Sequence, residues 1–243
     1  MNKLRVGFYY DGSFFDKVNR YYRFSHSKGE FINLNGLQDL ISRQLAMQNG
    51  LSPSSYQIVE AHFFKGRYST KSLRDFARPI QSPRQIMGDE YQTPQIAALG
   101  EDDRYVRILE SERYVEDNLM YAGIVPHYYR VTEGNGTHSE KGIDVWLALT
   151  AYEAALERGI DTVVVFTGDE DFVPLFKRLS CRNVRVALIS ERAEWEDRNG
   201  EKRFLGYSRR LAEESDYVFT LSKLIADLEA KDPESCLEIF IGP

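Results

Sequence analysis

Residues 162–176 read TVVVFTGDEDFVPLF. The run 162–166 is wholly β-branched or aromatic, the composition of a strand covered on both faces, as in a parallel sheet. Thr167 and Gly168 break it, Asp169, Glu170 and Asp171 follow, and DFVPLFKRLS then spaces its apolar residues as a helix does. A buried strand that leads through an acidic turn into a helix is one βα unit.

The same rhythm extends outward. RVGFYY (5–10), QIVEAHFF (57–64), GIVPHYY (123–129), VRVALI (184–189) and YVFTL (217–221) read as further strands. LNGLQDLISRQLAMQNG and DVWLALTAYEAALERG read as helices stopped by Gly50 and Gly159. Alternating strands and helices predict an α/β protein with a mostly parallel central sheet. The basic stretch 65–84, with Lys65, Arg67, Lys71, Arg74, Arg78 and Arg84 against Asp75, and the acidic stretch after it interrupt the pattern. We expect the core over 1–224, with 65–117 as a variable insertion or lobe, and a C-terminal helix and tail over 225–243.

The chain has 243 residues, enough to bury most of its unfolded surface. No apolar run approaches the length of a membrane span, and MNKLRVGFYYDGSF meets a charge at residue 11, so a soluble, cytoplasmic protein is expected. The 2 cysteines, Cys181 and Cys236, form neither a C-x-x-C pair nor a disulfide framework, and the 4 histidines (26, 62, 127, 138) lack metal-ligand spacing. A net charge of -6 argues against attachment to nucleic acid by bulk charge and leaves room for a local basic groove.

In parallel sheets, ligands bind beyond the carboxyl ends of the strands. Asp11 follows the first strand, Asp169 and Asp171 follow the strand at 162–166, and Asp144 opens a helix that starts at the same edge. Each also suits a bland role as helix cap or turn residue. Two carboxylates about 6 Å apart repel by roughly 3 kcal/mol at an effective dielectric near 20, so four together call for a cation or for protons. Hard divalent ions take such oxygen ligands and activate water against a phosphodiester. Spacing excludes neighbouring readings. Ser13 stands where a haloacid-dehalogenase-like phosphatase needs its second Asp, Phe15 replaces the second Ser of a D-x-S-x-S adhesion motif, and GNGTHSEKG lacks the P-loop G-K-[ST].

FYYDGSFF, KGIDVWLALTAYEAA, VVVFTGDEDFVPLFKRL, VRVALIS and SRRLAEESDYVFTL resemble the NYN domain family, the PIN-like, LabA-type metal-dependent ribonucleases, over roughly residues 3–64 and 118–224. The resemblance implies a three-layer α/β/α, Rossmann-like fold. It implies that Asp11, Asp144, Asp169 and Asp171 form a Mg²⁺ or Mn²⁺ site that hydrolyses RNA, cutting internally in single-stranded or structured substrates. Ser13 and Thr167 are expected to orient those carboxylates, and Lys65, Arg67, Arg74, Lys141 and Phe14 to contact RNA, with Phe15 and Tyr68 as further stacking candidates. One departure stands out: Phe14 occupies the place of the Asn in the family's D-G-x-N, which predicts a slower or more metal-demanding enzyme. An RNA-binding module without catalysis and a metal-dependent phosphatase are the alternative readings. The sequence leaves open the oligomeric state, a homo-oligomer included.

Overall fold

The computed structural model describes residues 3–77, 100–134, 137–139, 141–196 and 200–240. The elements, in chain order, are β1 (Leu4–Asp11), α1 (Gly12–Phe24), α2 (Leu34–Gln48), β2 (Tyr56–Arg67), α3 (Thr70–Ala77), α4 (Glu101–Tyr121) and β3 (Val125–Arg130). A small hairpin, β4 (Thr132–Gly134) and β5 (Thr137–Ser139), leads to α5 (Ile143–Glu157) and β6 (Thr162–Phe166). A 3₁₀ turn (Glu170–Phe172) enters α6 (Val173–Ser180), followed by β7 (Arg185–Ser190), the hairpin β8 (Ala193–Glu196) and β9 (Lys202–Leu205), α7 (Arg209–Glu213), β10 (Tyr217–Thr220), α8 (Leu221–Lys231) and α9 (Pro233–Glu238).

All six strands read from the sequence belong to one sheet, ordered β10-β7-β6-β1-β2-β3, and every pairing is parallel. Alternation along each strand sends side chains into two cores. Val6, Phe8, Tyr10, Phe63, Val164, Phe166, Ala187 and Ile189 pack with α1, α2, α8 and α9 on one face. Tyr9, Phe64, Val163, Val165, Val186 and Leu188 pack with α5, α6 and α7 on the other. The three-layer α/β/α arrangement is therefore built by strands with period two, buried on both sides. The chain runs from β1 outward to β2 and β3, then returns to the far side of β1 as β6. The order reverses between β1 and β6, and the crevice of a doubly wound sheet opens at such a point.

Three parts differ from the sequence reading. Asp-Gly at 11–12 is not a turn: Asp11 caps α1, and a Cβ on Gly12 would lie 2.7 Å from the Phe63 ring and from the Phe64 carbonyl oxygen, so glycine is there to let helix and strand touch. Within 65–117, the described residues are the end of β2 and the helices α3 and α4, joined through Leu73, Ile108, Tyr68 and Tyr105. Arg78 and Arg84 lie outside the described residues. The chain after α8 forms a second short helix with Cys236 buried, and the turn after it buries Ile239 and Phe240, the Phe240 ring lying 5.6 Å from Tyr22. Among the described residues, no helix is long and apolar enough to cross a membrane.

Candidate active site

β1 ends at Asp11, whose backbone (φ −70°, ψ 103°) stays extended while its side chain turns to cap α1, so that Oδ1 accepts the Phe14 N–H at 3.1 Å. Tyr10 pairs with Phe166 across the sheet, which sets Asp11 level with Thr167. The buried Thr167 hydroxyl donates to Asp11 Oδ2 at 2.9 Å, and its oxygen accepts the Asp169 N–H at 3.1 Å. Asp169 in turn caps the 3₁₀ turn by accepting the Asp171 N–H at 3.0 Å. One threonine thus ties the ends of two adjacent strands together, holding the Asp11 carboxylate through its hydroxyl hydrogen and the Asp169 backbone through its oxygen. The capping explanation holds for Asp11 and Asp169, and it is compatible with a second role, because a carboxylate offers about four acceptor sites.

Asp144 enters from a third direction, in the first turn of α5 behind Gly142, whose φ of 87° is left-handed. Asp11, Asp144 and Asp169 line one pocket of about 490 Å³ together with Ser13, Phe14, Lys17, Ile143, Gly168, Glu170, Phe204, Leu205, Gly206 and Ser208. Burial, opposed by the two hydrogen bonds and reinforced by Asp144 and Asp169, pushes the Asp11 carboxyl up from 3.8 to about 6. Glu170 differs: Ser208 and Arg210 hydrogen-bond its carboxylate and hold it below its usual range.

A protein-family comparison adds to this geometry. The NYN domain model matches residues 69–206, more than half of the chain. The chain belongs to the NYN domain family. The match contains Asp144, Asp169 and Asp171, takes in residues 69–117 that the sequence resemblance left uncovered, and does not reach Asp11. This NYN chain has a PIN-like, nuclease-type fold with its acidic pocket at the crevice of the sheet. A protein of unknown function from Vibrio parahaemolyticus RIMD 2210633, solved by crystallography, is similar over 90% of this chain and 94% of its own, at 18% identity and a TM-score of 0.48. No curated protein matches the chain.

Within the NYN pocket the expected site residues fall into two groups. Asp11, Asp144, Asp169, Ser13 and Phe14 line it, and Thr167 orients from beneath. Asp171 is exposed and outside the lining, and its backbone N–H donates to the cap at Asp169. Phe14 is only 9% exposed and packs 6.0 Å from Phe166, so it closes the pocket floor as core. Phe15 is buried, and Tyr68 packs under α3 and α4.

The basic candidates are largely spoken for. Lys65 is bound to Asp16, Arg67 sits 3.1 Å from Glu116 and over Tyr128, and Arg74 lies over Tyr105. Lys141 is exposed just before α5 but outside the pocket lining. The residues that sequence reasoning missed are Lys17, one α1 turn beyond Ser13, and Phe204 on β9. The Asn-Gly at 199–200 between AEWE and KRFL was a hairpin signal that would have located the latter.

The three pocket carboxylates offer oxygen donors of the type that a hard divalent cation takes. Among the described residues, no three or more His, Cys, Asp or Glu side chains are grouped so that together they could hold a metal ion. Three carboxylates around a roomy pocket instead suit an ion that keeps several waters and takes one or two carboxylates, as Mg²⁺ does. The histidines lie elsewhere. His62 and His127 share a 2.8 Å hydrogen bond between β2 and β3, where burial lowers both.

Proposed function

We propose that the protein is a metal-dependent ribonuclease that hydrolyses internal phosphodiester bonds of RNA. The observation that carries this is the convergence of Asp11, Asp144 and Asp169 from three separate elements on one pocket, close enough that the other two help to raise the Asp11 carboxyl. Asp11, Asp144 and Asp169 would hold Mg²⁺ or Mn²⁺ directly or through water, and the ion would supply an acidified water and a polarised phosphoryl oxygen. The chain's own residues do the rest. Thr167 keeps the Asp11 carboxylate aimed and anchors the backbone at Asp169, Lys17 meets phosphate charge from the α1 side, and Phe14 seals the floor against water.

The reading is tested with single-stranded RNA, hairpin RNA, single-stranded DNA and an aryl phosphate, in Mg²⁺, Mn²⁺ or chelator. RNA is expected to be cut internally and only with metal. Asp144→Asn and Asp169→Asn should each lower the rate by more than about 100-fold, beyond what a merely orienting group is worth. Their melting temperatures in chelator should stay level or rise, since repulsion is relieved. Cleavage that survives chelator or both substitutions overturns the reading. Binding of RNA without cleavage at any Mn²⁺ concentration would favour an RNA-binding module, which the loss of a polar side chain at Phe14 also suits. Release of phosphate from the aryl ester alone would favour a phosphatase.

A further inference from the structure

We infer that Phe204 is the surface on which a nucleobase of the bound strand stacks. The inference rests on the reading of the pocket as an RNA site and adds a residue that recognises the substrate's base. Phe204 lines the same pocket as the carboxylates, yet 64% of it is exposed, while its neighbour Leu205 on the opposite face of β9 is buried. The ring faces a pocket lined by carboxylates, hydroxyls and an amine as well as by Phe14, Ile143 and Leu205, and most of its surface stays open to solvent.

The ring is also seated. A Cβ on Gly206 would lie 2.4 Å from its Cζ and 2.5 Å from its Cε1, so the ring rests directly over the Gly206 backbone. The Gly206 carbonyl oxygen in turn presses on Gly168, where a Cβ would stand 2.5 Å away, and Gly168 immediately precedes Asp169. Two glycines thus bring an aromatic face to the acidic centre with one layer of backbone between them. A ligand for this surface needs a flat apolar face at one end and phosphate chemistry at the other, and a nucleotide unit of an unpaired strand has both. In a duplex the base faces are already stacked and unavailable.

Charge separates this role from simple attraction. Glu194 stands opposite Phe204 in the hairpin register and Glu196 opposite Lys202, so the hairpin itself is not an electropositive ledge. Among the described residues, Lys17 is the cation in the lining. Phe204 should therefore contribute to affinity independently of salt, in contrast to a phosphate contact.

The test is fluorescence anisotropy of a labelled single-stranded RNA 12-mer, with the full chain in chelator so that binding is read without turnover. Phe204→Ala should weaken binding by about tenfold or more, with an unchanged slope of log Kd against log salt. Phe204→Leu, apolar but not aromatic, should weaken it similarly, and Phe204→Trp should restore it. An abasic strand of the same length should bind all four proteins alike. Leucine binding as well as phenylalanine, or an abasic strand losing as much affinity as RNA, overturns the inference, as does a Phe204→Ala change in oligomeric state with affinity untouched. If the natural protein cuts RNA and the Phe204 variants bind as it does, the inference falls and the nuclease reading stands. If Phe204 governs binding but no metal elicits cleavage, the nuclease reading falls and the base surface stands.

Discussion

At Asp11 two influences oppose each other. Burial and the neighbouring Asp144 and Asp169 favour the protonated carboxyl, the Phe14 N–H and the Thr167 hydroxyl favour the ionised one, and the first pair wins, giving a value of about 6 against an ordinary 3.8. Between those values the folded chain without metal binds a proton more tightly than the unfolded chain does. Stability therefore falls as pH rises from about 4 to about 6, and the full cost persists above that. Asp11→Asn, which keeps the cap acceptor, should be the more stable protein above pH 6 by up to roughly 3 kcal/mol, less about 1 kcal/mol if the Thr167 bond is lost. The advantage should vanish below about pH 4. Urea melts of both proteins in chelator across this range check it, and a natural protein that gains on the variant as pH rises would contradict it. A hard divalent cation would reverse the preference, because it needs the ionised form.

Among the elements, charge pairing decides which cations are available. Lys65 and Arg67 do lie at the carboxyl end of β2, as the strand pattern required, but Asp16 of α1 and Glu116 of α4 claim them. Lys17 of α1 faces the pocket instead. Replacing Lys65, Arg67 and Arg74 together with Ala should leave the salt dependence of RNA binding nearly unchanged, whereas Lys17→Ala should lower its slope by roughly 0.7, the value of one single-strand phosphate contact. Affinities over a range of salt measure both, and a flattened slope in the triple variant would return the RNA path to α3. The contrast shows what the sequence could and could not display. TVVVF and VRVALI were legible because a strand buried on both faces needs a continuous apolar run, and Gly50 and Gly159 ended helices because both adopt positive φ. The helix after Asp11 was not legible, since its glycine serves a contact with β2 across 51 residues of chain and looks locally like a turn. The partners of Lys65 and Arg67, and the seat of Phe204 on Gly206, are likewise meetings between elements that no local period records.

For the molecule as a whole, α9 and the two residues after it complete the core. Asn33 at the start of α2 donates its N–H to the Ile239 carbonyl at 2.6 Å, and Phe240, 4% exposed, fills the space beside Tyr22. Phe240→Ala should cost about 3–5 kcal/mol of stability, read as a lower urea midpoint with an unchanged slope. A loss under about 0.5 kcal/mol would show that α9 merely rests on the surface. The strand order has a consequence in time. β1 pairs with β2 early in the chain, but its other neighbour, β6, and the Thr167 that holds Asp11 follow 156 residues later. Contacts at such separation close slowly. During synthesis, the strand carrying Asp11 therefore waits with one edge open until β6 is made, and the acidic pocket cannot assemble before Thr167 has emerged.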